Sequence, residues 1–76
     1  MEARVVRELP ASKLLSSREL DVVRLVADGR TNEQIARQLG VSLSTVKAEL
    51  SALFAKLGAT DRASAVAVCF RRGILQ

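Results

Sequence analysis

The sequence predicts an all-α domain of four helices, and three observations carry that reading. Apolar residues recur at intervals of three and four from Leu20 onward, polar capping residues stand ahead of each periodic segment, and a glycine lies at or just past the end of each. The chain has 76 residues, enough for one domain, and a domain of this size buries only about 60% of its unfolded surface. A thin core leaves no room for a buried, water-excluding active site.

Residues 1–14 have no clean period, contain Pro10 and read as an N-terminal arm or linker, with a weak extended piece around Val5 and Val6 as the nearest approach to a strand. The folded domain is expected over 15–76. Ser16-Ser17-Arg18-Glu19 is a capping box in which the Ser16 hydroxyl takes the Glu19 amide and the Glu19 carboxylate reaches back, with Leu15 and Leu20 placed as a hydrophobic staple. Apolar positions 20, 22, 23, 26 and 27 carry this helix to about Asp28, where Gly29 stops it. Thr31-Asn32-Glu33-Gln34 repeats the device, and Ile35, Ala36 and Leu39 give a short second helix ending at Gly40.

Ser42 caps a third helix whose apolar face is Leu43, Val46, Leu50, Leu53, Phe54 and Leu57, ending at Gly58. At about 100° per residue the opposite face collects Ser44, Ala48, Ser51, Ala52 and Ala55, with Lys47 on one flank and Glu49 and Lys56 on the other. That face carries no bulk. Asp61 or Thr60 caps a fourth helix to about Arg72, followed by Gly73, with Ile74 and Leu75 returning to the core.

The second and third helices are joined so tightly that they must cross steeply. Such a crossing needs a small side chain where they touch, a glycine able to take positive φ, and a branched apolar residue locking the second of the pair. Ala36, Gly40 and Val46 supply these at offsets of four and then six, as in a helix-turn-helix. A plain bundle with a tight corner is the competing reading, but it has no need of Ala and Gly at fixed offsets.

Composition removes most chemistry. The absence of His, Trp and Tyr and the presence of one Cys leave no nucleophile–base pair and no metal constellation, so no enzymatic activity, metal or cofactor is expected. Cys69 lies in an apolar run and reads as a small hydrophobe in a reducing compartment, which points to the cytoplasm. No apolar run approaches the roughly 20 residues of a membrane span, and residues 1–13 have no signal-peptide character. The net charge of +4 favours a polyanionic partner. Its distribution says more: residues 16–40 balance four Arg against four acids, whereas 41–76 set Lys47, Lys56, Arg62, Arg71 and Arg72 against Glu49 and Asp61.

The segment LSSRELDVVRLVADGRTNEQIARQLGVSLSTVKAELSALFAKLGATDRASAVAVCFRRGIL, Leu15 to Leu75, resembles the C-terminal DNA-binding domain of the LuxR/GerE family (FixJ/NarL-type) of bacterial transcription regulators. Its most specific pieces are Ser16 with Arg18-Glu19, Glu33-Gln34-Ile35-Ala36, Val41-Ser42 with Thr45-Val46-Lys47, Lys56-Leu57-Gly58, and Asp61-Arg62 with Ala65-Val66. The resemblance implies that the third helix enters the major groove of double-stranded DNA and that the fourth makes a homodimer, and it leaves RNA polymerase open as a further partner. It implies base or phosphate contacts from Lys47, Ala48 and Ser51, with phosphate support from Thr31, Ser44, Thr45 and Lys56. The family usually has His where this chain has Glu49, an acid that adds repulsion toward phosphate.

Each of these residues has a plainer reading beside the functional one. Lys47 is either a groove contact or a solvated helix residue; Ala48 and Ser51 are either a thymine-methyl and base-edge pair or helix filler. Glu49 either tunes structure by pairing with a basic neighbour such as Lys56 or accepts from cytosine. Lys56 and Arg62 divide between phosphate contacts and intradomain pairs, and Arg18 with Glu19 reads as fold chemistry. Along the fourth helix, residues 65, 66 and 69 are expected to face the core, which leaves Ala63, Ala67, Val68 and Phe70 as dimer-interface candidates or merely tolerated surface. A helical protein-interaction module on the same fold is the alternative function.

Overall fold

The computed structural model describes residues 15–76, so the reading of 1–14 as an arm lies outside the described residues. Four helices follow in order: α1 (Ser17–Ala27), α2 (Asn32–Leu39), α3 (Leu43–Leu57) and α4 (Arg62–Arg71), with no strand among the described residues. Each begins at a side chain that satisfies an orphan amide, a device worth about 1 kcal/mol per helix. Ser16 Oγ accepts from the Glu19 amide at 3.0 Å while Glu19 Oε1 accepts from the Ser16 amide at 2.8 Å. Thr31 and Gln34 repeat the exchange at 3.1 and 2.9 Å.

At α3 Ser42 Oγ accepts from the Thr45 amide at 3.1 Å, and the Thr45 hydroxyl lies 2.9 Å from Ser42 Oγ in place of a reciprocal bond to the Ser42 amide. Of the two candidates for α4, Asp61 is the cap, accepting from Ser64 at 2.8 Å. The helices α1 and α4 each stop one residue short of expectation, with Asp28 and Arg72 as their C-caps.

The turn between α2 and α3 is where the fold is decided. Gly40 takes φ 71°, ψ 35°, left-handed geometry that costs an L-residue about 1–2 kcal/mol. This reversal lets the Val41 amide donate to the Ala36 carbonyl at 3.0 Å, which ends α2 and swings the chain directly into Ser42 and α3. Ala36 and Val46 are both buried in the core that the two helices share. The expected helix-turn-helix is present.

All four helices share one core, which contains Val22, Val23 and Val26 of α1, Ile35 of α2, Val46, Leu50, Leu53 and Leu57 of α3, and Ala65, Val68 and Cys69 of α4. Leu15, Ile74 and Leu75 close it from the chain ends, and no polar side chain is buried among the described residues. Burial pushes the Cys69 thiol up, in keeping with a packing role. One expectation fails here. Val68 is only 8% exposed and belongs to the core, while Val66 is half-buried at its edge. Positions 65, 68 and 69 form an i, i+3, i+4 stripe; the fourth helix is so uniformly apolar that its pattern did not reveal the phase of that stripe.

Candidate nucleic-acid interface

Behind α3 lies the core, and in front of it lies a face without bulk. Val46, Leu50, Leu53 and Leu57 anchor the helix from one side, and Ser44, Thr45, Lys47, Ala48, Ser51, Ala52 and Ala55 are exposed on the other. A helix pinned along one stripe and smooth along the opposite one can slide into a groove of matching width. B-DNA's major groove, about 12 Å wide, accepts an α-helix of this profile.

The hydroxyl groups at the start of α3 are tied together. Ser42 Oγ lies 3.1 Å from Ser44 Oγ and 2.9 Å from Thr45 Oγ1, a cluster of three hydroxyls around the first turn. Thr31, the candidate outside α3, is exposed at the N-cap of α2 with its oxygen engaged by the Gln34 amide. Lys47, Ala48 and Ser51 follow on the exposed face of α3. Lys47 has no carboxylate within ion-pair distance among the described residues.

Lys56 is placed differently. Its Nζ lies 2.9 Å from Glu19 Oε1, joining the end of α3 to the start of α1. That contact, followed by the hydrogen bond from the Ser16 amide, holds the Glu19 carboxyl below its ordinary value. Glu49 is also paired, but to Arg18 and not to Lys56 as expected: Arg18 Nε donates at 2.9 Å and Nη2 at 3.2 Å, a two-pronged fork on one carboxylate. The expected neighbour was already taken by Glu19. Where α1 packs beside α3, one cation from each helix is thus matched by an acid from the other.

Arg62 makes the third long-range link. Its Nη1 donates to Asn32 Oδ1 at 2.7 Å and its Nη2 donates to the Arg30 carbonyl, so the start of α4 is fastened to the start of α2. These links span 30 to 37 positions, too far for any local pattern to display them. Arg62 and Asn32 also border a shallow groove with Lys47, Leu50, Ser51 and Phe54. On α4, Ala63 and Ala67 are exposed and Phe70 is 50% exposed, whereas Val68, expected at the interface, is buried in the core and offers no surface to a partner. No described helix is long and apolar enough to cross a membrane, and no cluster that could hold a metal occurs among the described residues.

Comparison with known proteins agrees with this architecture. The probable transcriptional regulatory protein NarL of Mycobacterium tuberculosis is 42% identical over 69 residues, 91% of this chain and 32% of the relative. The response regulator protein VraR of Staphylococcus aureus is 30% identical over 76 residues, 100% of this chain and 36% of the relative. The crystal structure of the response regulator ChrA, of a heme-sensing two-component system, superposes with a TM-score of 0.77 at 31% identity, over 80% of this chain and 30% of that one. The chain spans about a third of the length of these relatives. Residues 13–69 match the family described as bacterial regulatory proteins, luxR family, which takes in α1, α2, α3 and most of α4. The chain therefore belongs to the luxR family of bacterial regulatory proteins, and what it carries of that family is the helix-turn-helix domain.

Proposed function

We propose that residues 15–76 form a sequence-specific, double-stranded DNA-binding domain that regulates transcription, with α3 in the major groove and a homodimer built through α4. The observation that carries this is the outward face of α3: Ser44, Lys47, Ala48 and Ser51 are exposed on a helix whose other side is locked into the core. Lys47 is the longest donor on that face and suits guanine O6 and N7, Ala48 suits a thymine methyl, and Ser51 suits a base edge. Thr31, Ser44 and Thr45 lie at helix starts from which hydroxyl and amide groups can meet phosphate. Lys56 contributes to phosphate binding after exchanging its Glu19 partner for DNA.

A dimer follows from the remaining apolar surface of α4, where Ala63, Ala67 and the half-exposed Phe70 lie outside the core stripe. An isologous contact through them would match two half-sites about 34 Å apart along the duplex. Selection of bound sequences from a random duplex pool tests the reading. A recovered inverted repeat with one-turn spacing, bound with a steep salt dependence, supports it. Recovery of no preferred sequence together with a flat salt response favours the protein-interaction alternative.

A further inference from the structure

The cations around α3 divide into two groups. On the flank facing α1, Arg18 is forked onto Glu49 and Lys56 onto Glu19, so both are neutralised within the domain. On the flank facing α4, Lys47 and Arg62 border one groove whose other lining residues are Asn32, Leu50, Ser51 and Phe54, none of them acidic. The acid next to Arg62 in sequence, Asp61, is turned to the Ser64 amide as the cap of α4. A guanidinium has five N–H donors; Arg62 uses one on Asn32 and one on Arg30, which leaves three.

We propose that Arg62, on the α4 side of this groove, is a phosphodiester-binding residue for the DNA backbone, with Asn32 holding its guanidinium in place, while Lys47 and Ser51 on the α3 side face the bases. The proposal rests on the reading of α3 as the DNA-contacting helix and adds which strand-facing flank carries the backbone contact. A phosphate bound by an arginine already fixed on two intradomain acceptors costs little side-chain entropy, since Arg62 is ordered beforehand. The flank facing α1 contributes less, because each cation there must first give up a carboxylate. Arg62 is thus both a brace between α2 and α4 and a ligand.

The test separates these two roles. Asn32→Asp places a carboxylate on the same guanidinium, which strengthens the brace and suits the first turn of α2, yet competes with phosphate. Measured by fluorescence anisotropy against a random-sequence duplex and a selected site over a salt series, Asn32→Asp should keep or raise the melting temperature. It should weaken binding to both duplexes by about five- to tenfold and lower the log–log salt slope by about 1 per contact. Gln38→Glu, an exposed α2 position away from the groove with the same change in net charge, should do much less. Arg62→Gln should lower the slope as Asn32→Asp does, and Arg62→Lys should restore it.

Unchanged affinity and slope in Asn32→Asp would overturn the proposal, as would an equal loss in Gln38→Glu, which would make the effect one of net charge alone. Wild-type protein that binds neither duplex would instead overturn the DNA-binding reading on which the site rests.

Discussion

Glutamate at position 68 and glutamate at position 67 should have opposite consequences, although the two residues are neighbours on one helix. Val68 is 8% exposed and packs in the same core cluster as Ala65 and Cys69, both fully buried. Replacing it forfeits about 1.5–3 kcal/mol of valine burial. The new carboxylate must also be neutralised or drag the helix outward. Protonating at pH 7 a group whose ordinary pKa is about 4.3 costs about 3.7 kcal/mol, at about 1.4 per pH unit. The sum, about 5–7 kcal/mol, is comparable to the whole stability of a chain of 76 residues at roughly 0.05–0.15 kcal/mol per residue. Val68→Glu should therefore be largely unfolded by far-ultraviolet circular dichroism at room temperature. Ala67→Glu, on the exposed side, should cost only a few tenths of a kcal/mol in helix propensity, melt within a few degrees of wild type, and sediment as a monomer with weaker DNA binding. If Val68→Glu melts together with Ala67→Glu, the phase of α4 against the core is wrong.

Further outcomes follow from single features. Gly40→Ala should cost about 1–2 kcal/mol and lower the melting temperature by about 4–8 °C per kcal/mol, through left-handed backbone strain alone, since nothing lies within 4 Å of the added Cβ. Glu19 and Asp61 both have carboxyls held below their ordinary values of 4.5 and 3.8, by the Lys56 contact first for Glu19 and by the Ser64 amide first for Asp61. Their stabilisation is complete above those ordinary values and is lost as pH falls through the lowered ones, so acid melting should flatten in Glu19→Gln. Glu49→Gln should lower stability by at most about 1 kcal/mol, because the Arg18 pair is partly exposed and screened by solvent. It should tighten binding to every duplex by a similar factor; weaker binding confined to sites with one particular cytosine would instead make Glu49 a base reader.

What was legible in the sequence was whatever acts locally. Capping boxes at Ser16 and Thr31, the small residue at Ala36, the positive-φ requirement at Gly40 and the stripe through Val46, Leu50 and Leu57 are read within a few positions, and each is met. The smooth outward face of α3 followed from helical geometry once that stripe was known. Pairings across the fold were not legible, because Arg18 chooses Glu49, and Glu19 chooses Lys56, only after α1 lies against α3. The same holds for the Arg62 brace on Asn32 and Arg30. The phase of α4 was hidden for a different reason: Ala63-Ser64-Ala65-Val66-Ala67-Val68-Cys69-Phe70 offers several stripes of equal hydrophobicity, and tertiary packing selects among them.

The measurement that tests the central claim most directly is the affinity of Lys47→Ala for a selected site and for a scrambled duplex at one fixed salt concentration. Lys47 is exposed on α3 and makes no ion pair among the described residues, and alanine preserves helix propensity, so the fold should be untouched. With α3 in the major groove, the substitution should cost about 1–3 kcal/mol on the selected site and distinctly less on the scrambled one. Unchanged affinity for both duplexes, with a wild-type melting curve, would contradict the placement of α3 in the groove.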